Sequence, residues 1–255
     1  MIKPFSNILI ISDYDGTFAG KSIDKNRDAV KRFVSLGGHF TFASGRSADQ
    51  MKEFVFGLSE MISAPLLTVN GAVVYDLMTD QVIDKKTFSF EFAESVAYDV
   101  IDKFPAAYVY FSVPLTPTWR KIPVDYRPDE VKMMSFKADE DSIDEVLAYI
   151  RNKYGYAFSA CHPYRTMIDL TVNGITKGSR IALLREYYSS RGINDLKVVC
   201  IGDFENDISM LEAADIAFCP ENAINEVKSI CDHIVCHHDD GAIADMIRII
   251  EEQYI

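Results

Sequence analysis

Positive charge is scarce in this chain. Its 255 residues carry 26 Lys and Arg against 38 Asp and Glu, a formal net charge of -12. Nucleic acids and anionic membranes are held by clustered Lys and Arg, so both are excluded as main partners. Long hydrophobic runs are also missing, and none approaches the length that spans a bilayer. Met1 to Asn7 leads directly into a strand-like segment without a basic stretch, an apolar stretch of signal length or a small-residue cleavage site. Cysteine is sparse: Cys161, Cys200, Cys219, Cys231 and Cys236 are odd in number and scattered, which argues against a disulfide framework and for reduced thiols. The expected location is the cytoplasm. Neither an internal repeat nor a low-complexity tract is present.

What the chain does have is apolar bulk, at 48% hydrophobic residues, enough to pack one large domain or two modest ones. Up to residue 85 the pattern alternates strand and helix. Ile8 to Ser12, His39 to Ala43 and Leu66 to Val69 read as strands, Lys25 to Leu36 and Ala48 to Leu58 as helices, and Asn70-Gly71 as a turn into a hairpin. From 86 to 173 the order becomes helix-strand-strand, twice, around a Pro-rich loop, which describes an antiparallel sheet with helices on one face. From 174 to 255 the strand-helix alternation returns. The expected architecture is α/β: a Rossmann-like, doubly wound parallel-sheet core in two parts, 1–85 and 174–255, with an inserted α+β domain at 86–173.

Four polar clusters each sit at the end of an apolar, strand-like run: Asp13-Tyr14-Asp15-Gly16-Thr17, Ser44-Gly45-Arg46, Lys177-Gly178 and Gly202-Asp203-Phe204-Glu205-Asn206-Asp207. In an open parallel sheet, ligands bind beyond the carboxyl ends of the strands, so clusters far apart in sequence would meet there. Two carboxylates two residues apart, Asp13 and Asp15, suit phosphoryl transfer: one can attack phosphorus while the other protonates the leaving alkoxide and later deprotonates water. Gly16 lets the backbone come close to an anion and Thr17 adds a hydroxyl. Asp13, Asp203 and Asp207 offer hard oxygen ligands for magnesium. Lys177 supplies a compact positive charge, and Ser44 with Gly45 a hydroxyl and backbone N–H donors. An Asp-x-Asp-Gly calcium loop would require further acidic ligands, where Phe18, Ala19 and Gly20 follow. Cys231, His233, Cys236, His237 and His238 crowd together, but not at paired zinc-ligand spacing, and they read as a short strand followed by a polar turn.

These residues resemble the haloacid dehalogenase superfamily of aspartate-nucleophile phosphatases. Asp13 to Thr17 match its first motif, Ser44 the second, Lys177 the third, and Gly202-Asp203 with Asn206-Asp207 the fourth. The insert resembles a type C2 cap, and Asn70-Gly71-Ala72 and Asn222-Ala223 resemble signatures of the Cof-like subfamily. The resemblance implies Asp13 as nucleophile, Asp15 as general acid/base and as a metal ligand through its carbonyl, and Asp203 as the main further acidic ligand of Mg2+. Asp207 is open between ligating through water and orienting Asn206 and Lys177. Arg46 is open between substrate contact and structural ion pair. Candidate cap contacts are Trp119, Arg120, Lys121, Arg127, His162, Tyr164 and Arg165. The implied activity is hydrolysis of small phosphorylated metabolites, sugar phosphates foremost. Phosphoryl transfer between phosphosugars is the alternative, and a non-catalytic binding protein a further one. Substrate identity and oligomeric state are not legible.

Overall fold

The computed structural model describes residues 4–55, 57–112, 118–120 and 127–254. His39–Phe42 (β2), Ile8–Ser12 (β1), Lys197–Ile201 (β13), Ile216–Pro220 (β14) and His233–Val235 (β15) lie side by side in that order as a parallel sheet. All five residues of β1 are buried, because successive side chains leave on opposite faces and both faces are covered. Ile8 and Ile10, with Phe40, Phe42, Val199, Ile201 and Phe218, pack against Ile23–Ser35 (α1) and Ala242–Gln253 (α8). Leu9 and Ile11, with Val198, Cys200, Ala217 and Cys219, pack against Ile181–Ser189 (α5) and Ile208–Glu212 (α6). Each such burial stabilises the fold by roughly 1.5–3 kcal/mol, so the carboxyl end of β1 is a stiff mount for a reactive side chain.

Ala48–Phe54 (α2) begins with a capping box in which Ser47 Oγ accepts from the Gln50 amide at 3.3 Å and Gln50 Oε1 from the Ser47 amide at 2.9 Å. It stops short of the expected Leu58, with Gly57 in the left-handed region at φ +82°. Leu66–Thr68 (β3), Val73–Asp76 (β4) and Gln81–Lys85 (β5) form a small antiparallel sheet, and Leu67 bridges to Ala43 just beyond β2. The expected strand through Val69 ends at Thr68. Val69, Asn70 and Gly71 all have positive φ (55°, 51° and 91°), uncommon for a β-branched valine.

Phe88–Ser89 (β6) pairs with Glu130–Val131 (β9) where the chain enters the second large sheet. That sheet is antiparallel, in the order Phe158–Tyr164 (β11), Met167–Val172 (β12), Met133–Lys137 (β10), Tyr108–Ser112 (β7) and Thr118–Arg120 (β8). Alternation divides its side chains. Val109, Phe111, Met134, Phe136, Ile168 and Leu170 face Phe90–Lys103 (α3) and Glu140–Tyr154 (α4). On the opposite face Tyr110, Met133, Ser135, Met167 and Asp169 look onto a crevice shared with the parallel sheet. The α/β architecture with a helix-backed antiparallel insert is as expected. Asn225–Lys228 (α7) completes the helices. Among the described residues no helix is long and apolar enough to cross a membrane.

Candidate active site

Asp13 is the first residue beyond β1, and its amide still donates to Ile201 O at 2.9 Å, so the sheet fixes its direction. The chain then turns tightly through Tyr14 to Phe18, with both rings anchored against Phe42 at centroid distances of 5.5 and 4.9 Å. Gly16 makes the turn at φ +76°, and a Cβ there would lie 2.6 Å from Asp203 Oδ2. The turn therefore needs glycine both for its backbone angle and for the approach of Asp203.

Lys177 is fully buried and bridges two carboxylates, its Nζ donating to Asp13 Oδ1 at 2.7 Å and to Asp207 Oδ1 at 2.6 Å. The other oxygen of Asp207 accepts from the amides of Asp203 (3.0 Å) and Phe204 (3.2 Å). Gly202 allows this fold-back, since a Cβ there would stand 2.4 Å from Asp207 Cγ. Asp203 Oδ1 accepts from Thr17 Oγ1 at 2.9 Å, and Asn222 Nδ2 ties the turn together by donating to Gly16 O at 2.8 Å.

Asp15 points the other way. Half exposed, it takes two parallel 2.7 Å bonds from Arg46 Nε and Nη2, and the guanidinium lies 4.2 Å over the Phe54 ring. The loop carrying Arg46 is hydrogen-bonded to the positive-φ segment: Val69 N donates to Arg46 O at 2.9 Å and Asn70 N to Ser44 O at 3.0 Å. Left-handed backbone at a non-glycine residue costs on the order of 1–3 kcal/mol. Here it aims the buried Asn70 side chain at two residues of the crevice wall: Nδ2 donates to Asp169 Oδ2 at 2.7 Å and Oδ1 accepts from Asn206 Nδ2 at 3.2 Å.

Three buried or nearly buried carboxylates, Asp13, Asp203 and Asp207, share one lysine, which leaves two negative charges without a partner. Burial, then the repulsion of Asp207 and Asp203, pushes the Asp13 carboxyl well above its usual range despite Lys177. Burial and Asp207 likewise push Asp203 up to about 7. For Lys177, burial acts against the charge, but the two carboxylates outweigh it and hold the ammonium protonated. Oxygens of the three aspartates lie within 4.8 Å of one another. An all-oxygen donor set with a charge deficit of two fits a hard divalent cation.

The crevice above this cluster has a volume of about 830 Å3 and is lined by Asp13, Asp15, Gly16, Ser44, Gly45, Arg46, Asp203, Asn206 and Asp207 from the parallel-sheet side. Lys177 stands behind them. Thr17, expected to face a phosphate, instead turns its hydroxyl to Asp203 and orients that carboxylate. From the insert, Tyr164 and Arg165 reach the crevice. His162 does not line it, bonding through Nδ1 to Met167 O at 2.8 Å. Arg127 pairs with Glu94 on α3. The side chains of Trp119 and Arg120, and Lys121 altogether, lie outside the described residues.

Sequence reasoning missed Asp169, Ser135 and Tyr110, which pair in register across β12, β10 and β7. The available signal was an acidic residue within the apolar strand Met167-Ile168-Asp169-Leu170. Asp169 is 3% exposed, and burial raises its carboxyl to about 6, against the lowering effect of its bonds from Ser135 (2.5 Å) and Asn70. From the Cys/His crowd, His237 and His238 join Asp239 in a group of three with ligand atoms near one another; His233 is bonded to Tyr254 and His238 to Ala19 O.

The sequence profile of the haloacid dehalogenase-like hydrolases matches residues 10–114 and 116–247. Over 245 residues the chain is 25% identical to the 5-amino-6-(5-phospho-D-ribitylamino)uracil phosphatase YcsE of Bacillus subtilis, covering 94% of each. It is 27% identical over 235 residues to a phosphoglycolate phosphatase of Thermoplasma volcanium, covering 89% of this chain and 90% of that one. Its fold matches that of the HAD subclass IIB sugar phosphatase BT4131 with a TM-score of 0.78 at 21% identity, over 95% of this chain and 98% of the other.

Proposed function

The chain belongs to the haloacid dehalogenase-like hydrolases, in their Cof-like branch, and is a phosphatase; from that premise we propose that it hydrolyses phosphomonoesters of small sugar-like metabolites in the cytoplasm, through a phosphorylated Asp13. The observation that carries this reading is the Asp13–Lys177–Asp207 bridge. Lys177 holds one oxygen of Asp13, while the other has no hydrogen-bond partner among the described residues and belongs to a side chain lining the crevice.

In the first step this oxygen attacks phosphorus, the bond to the leaving alkoxide breaks, and protonated Asp15 gives that alkoxide its proton. One of the two Arg46 bonds must open for Asp15 to do so. In the second step Asp15 takes a proton from water, which attacks the acyl phosphate and releases inorganic phosphate and free Asp13. Ser44 and the amide of Gly45 receive phosphoryl oxygens, with Lys177 supplying positive charge behind Asp13. Asp13, Asp203 and the Asp15 carbonyl would hold Mg2+, with Asp207 placed through Lys177 and the Asp203 amide; bound there, the ion would supply the charge cancellation that lets an anion approach a phosphate dianion. Residues 86–173 act as the cap over 1–85 and 174–255.

Phosphate release from p-nitrophenyl phosphate tests this reading. Turnover is expected to need magnesium, to stop with a chelator and to vanish in Asp13→Asn. Activity that survives either treatment would refute the Asp13 mechanism.

A further inference from the structure

The insert's contribution to the crevice includes a row of three side chains on neighbouring strands, Tyr110, Ser135 and Asp169. The hydrogen-bonding character of Ser135 and Asp169 is fixed by their contacts with each other and with Asn70. Ser135 directs its one proton to Asp169 Oδ1 at 2.5 Å, so toward the crevice it has only lone pairs to offer. Asp169 accepts one further bond, from Asn70, and a carboxylate has about four acceptor sites, so it too has lone pairs to spare. Met133 and Met167 flank the row and give it apolar sides.

Positive charge near this wall is already committed or peripheral. Among the described lining residues the cations are Arg46, clamped to Asp15, and Arg165, exposed at the rim. A leaving group rich in O–H donors would satisfy the wall. A leaving group carrying a second acid would confront the Asp169 carboxylate where water cannot screen it.

We propose that Asp169 and Ser135 select neutral, polyhydroxylated leaving groups by accepting their hydroxyl protons; this rests on the phosphatase reading and assigns its substrate class. Asp169 also ties the insert to Asn70, so its contribution to substrate choice must be separated from a purely structural one. A latch affects every substrate equally, whereas a recognition contact affects only those with hydroxyls to offer.

The test compares kcat/KM of the full chain with magnesium for ribitol 5-phosphate, phosphoglycolate and p-nitrophenyl phosphate. The polyol phosphate is expected to exceed phosphoglycolate by about tenfold or more. Asp169→Asn is expected to lower the polyol value roughly 10- to 100-fold more than the aryl value, the range for losing a bond to a charged acceptor, with Ser135→Ala acting in the same direction. Equal losses on both substrates, or a preference for phosphoglycolate, would overturn the proposal. Calorimetric binding of ribitol 5-phosphate and phosphoglycolate to Asp13→Asn with magnesium needs no turnover. If the wild type releases no phosphate the phosphatase reading fails, while tighter binding of phosphoglycolate in this second measurement refutes the selectivity by itself.

Discussion

Asp15 and Arg46 meet through two parallel hydrogen bonds of 2.7 Å each, a bidentate clamp on the side chain assigned to move protons. The guanidinium is itself steadied by the Phe54 ring. The pair is partly exposed, and such pairs contribute only about 0–1 kcal/mol to stability. Its geometric specificity is the larger effect.

Arg46→Ala is therefore expected to shift thermal unfolding little while lowering kcat on p-nitrophenyl phosphate by roughly 10- to 100-fold. Arg46→Lys, which keeps the charge but lacks the planar fork for two parallel bonds, is expected to recover part of the loss. Steady-state kinetics beside a melting curve decide between positioning of Asp15 and a structural ion pair: an unchanged kcat would leave Arg46 with only the second role.

Lys177 presents the opposite balance. Removing one partner of a buried ion pair leaves uncompensated charge and typically costs 3–5 kcal/mol. Lys177→Met keeps the volume but leaves Asp13 and Asp207 facing each other, so urea denaturation is expected to show a loss of about that size together with loss of turnover. Asp207→Asn in the same background is expected to restore stability, since it removes one of the two stranded charges, without restoring activity. Failure of the second change to recover stability would place the cost in packing instead.

The parallel sheet was legible because β1 and β13 are short runs buried on both faces, a pattern that needs no tertiary knowledge. The charged clusters were legible because strand ends of such a sheet converge. Two things were not. The strand and helix ends near the site depend on backbone that local propensity disfavours: Val69 and Asn70 adopt positive φ to donate to Arg46 O and Ser44 O, contacts invisible from sequence. Asp169 looks like an oddity in an apolar strand until register places it beside Ser135 and tertiary packing brings Asn70 against it. Thr17 was misjudged for a similar reason: its hydroxyl meets Asp203, on a loop far away in sequence, rather than the crevice.

The charge deficit around Asp13, Asp203 and Asp207 would be relieved by the proposed magnesium ion, which is therefore expected to stabilise the fold as well. At a hundred times its dissociation constant, a ligand bound only to the folded state adds about 2.7 kcal/mol. Adding magnesium is expected to raise the melting temperature of the wild type, and Asp203→Asn to lose most of that rise. A rise of equal size in Asp203→Asn would mean that the cation binds elsewhere.

Asp169 should destabilise the fold it belongs to. Burial raises its carboxyl from an ordinary 3.8 to about 6. A group whose folded pKa lies above its unfolded one favours folding in its protonated form. That contribution is complete below about pH 3.8 and is lost as the pH rises through 6, so above pH 7 the charge costs roughly 3 kcal/mol relative to the protonated group. Asp169→Asn carries no charge at any pH. It also gives Asn70 a competing amide donor, an offset that does not vary with pH. The difference in stability between variant and wild type should therefore shift by roughly 2.5 kcal/mol in favour of the variant between pH 4 and pH 7.5, whatever its absolute value. Urea titrations at the two pH values measure this directly, and a pH-independent difference would mean that Asp169 is not the strained carboxylate its burial implies.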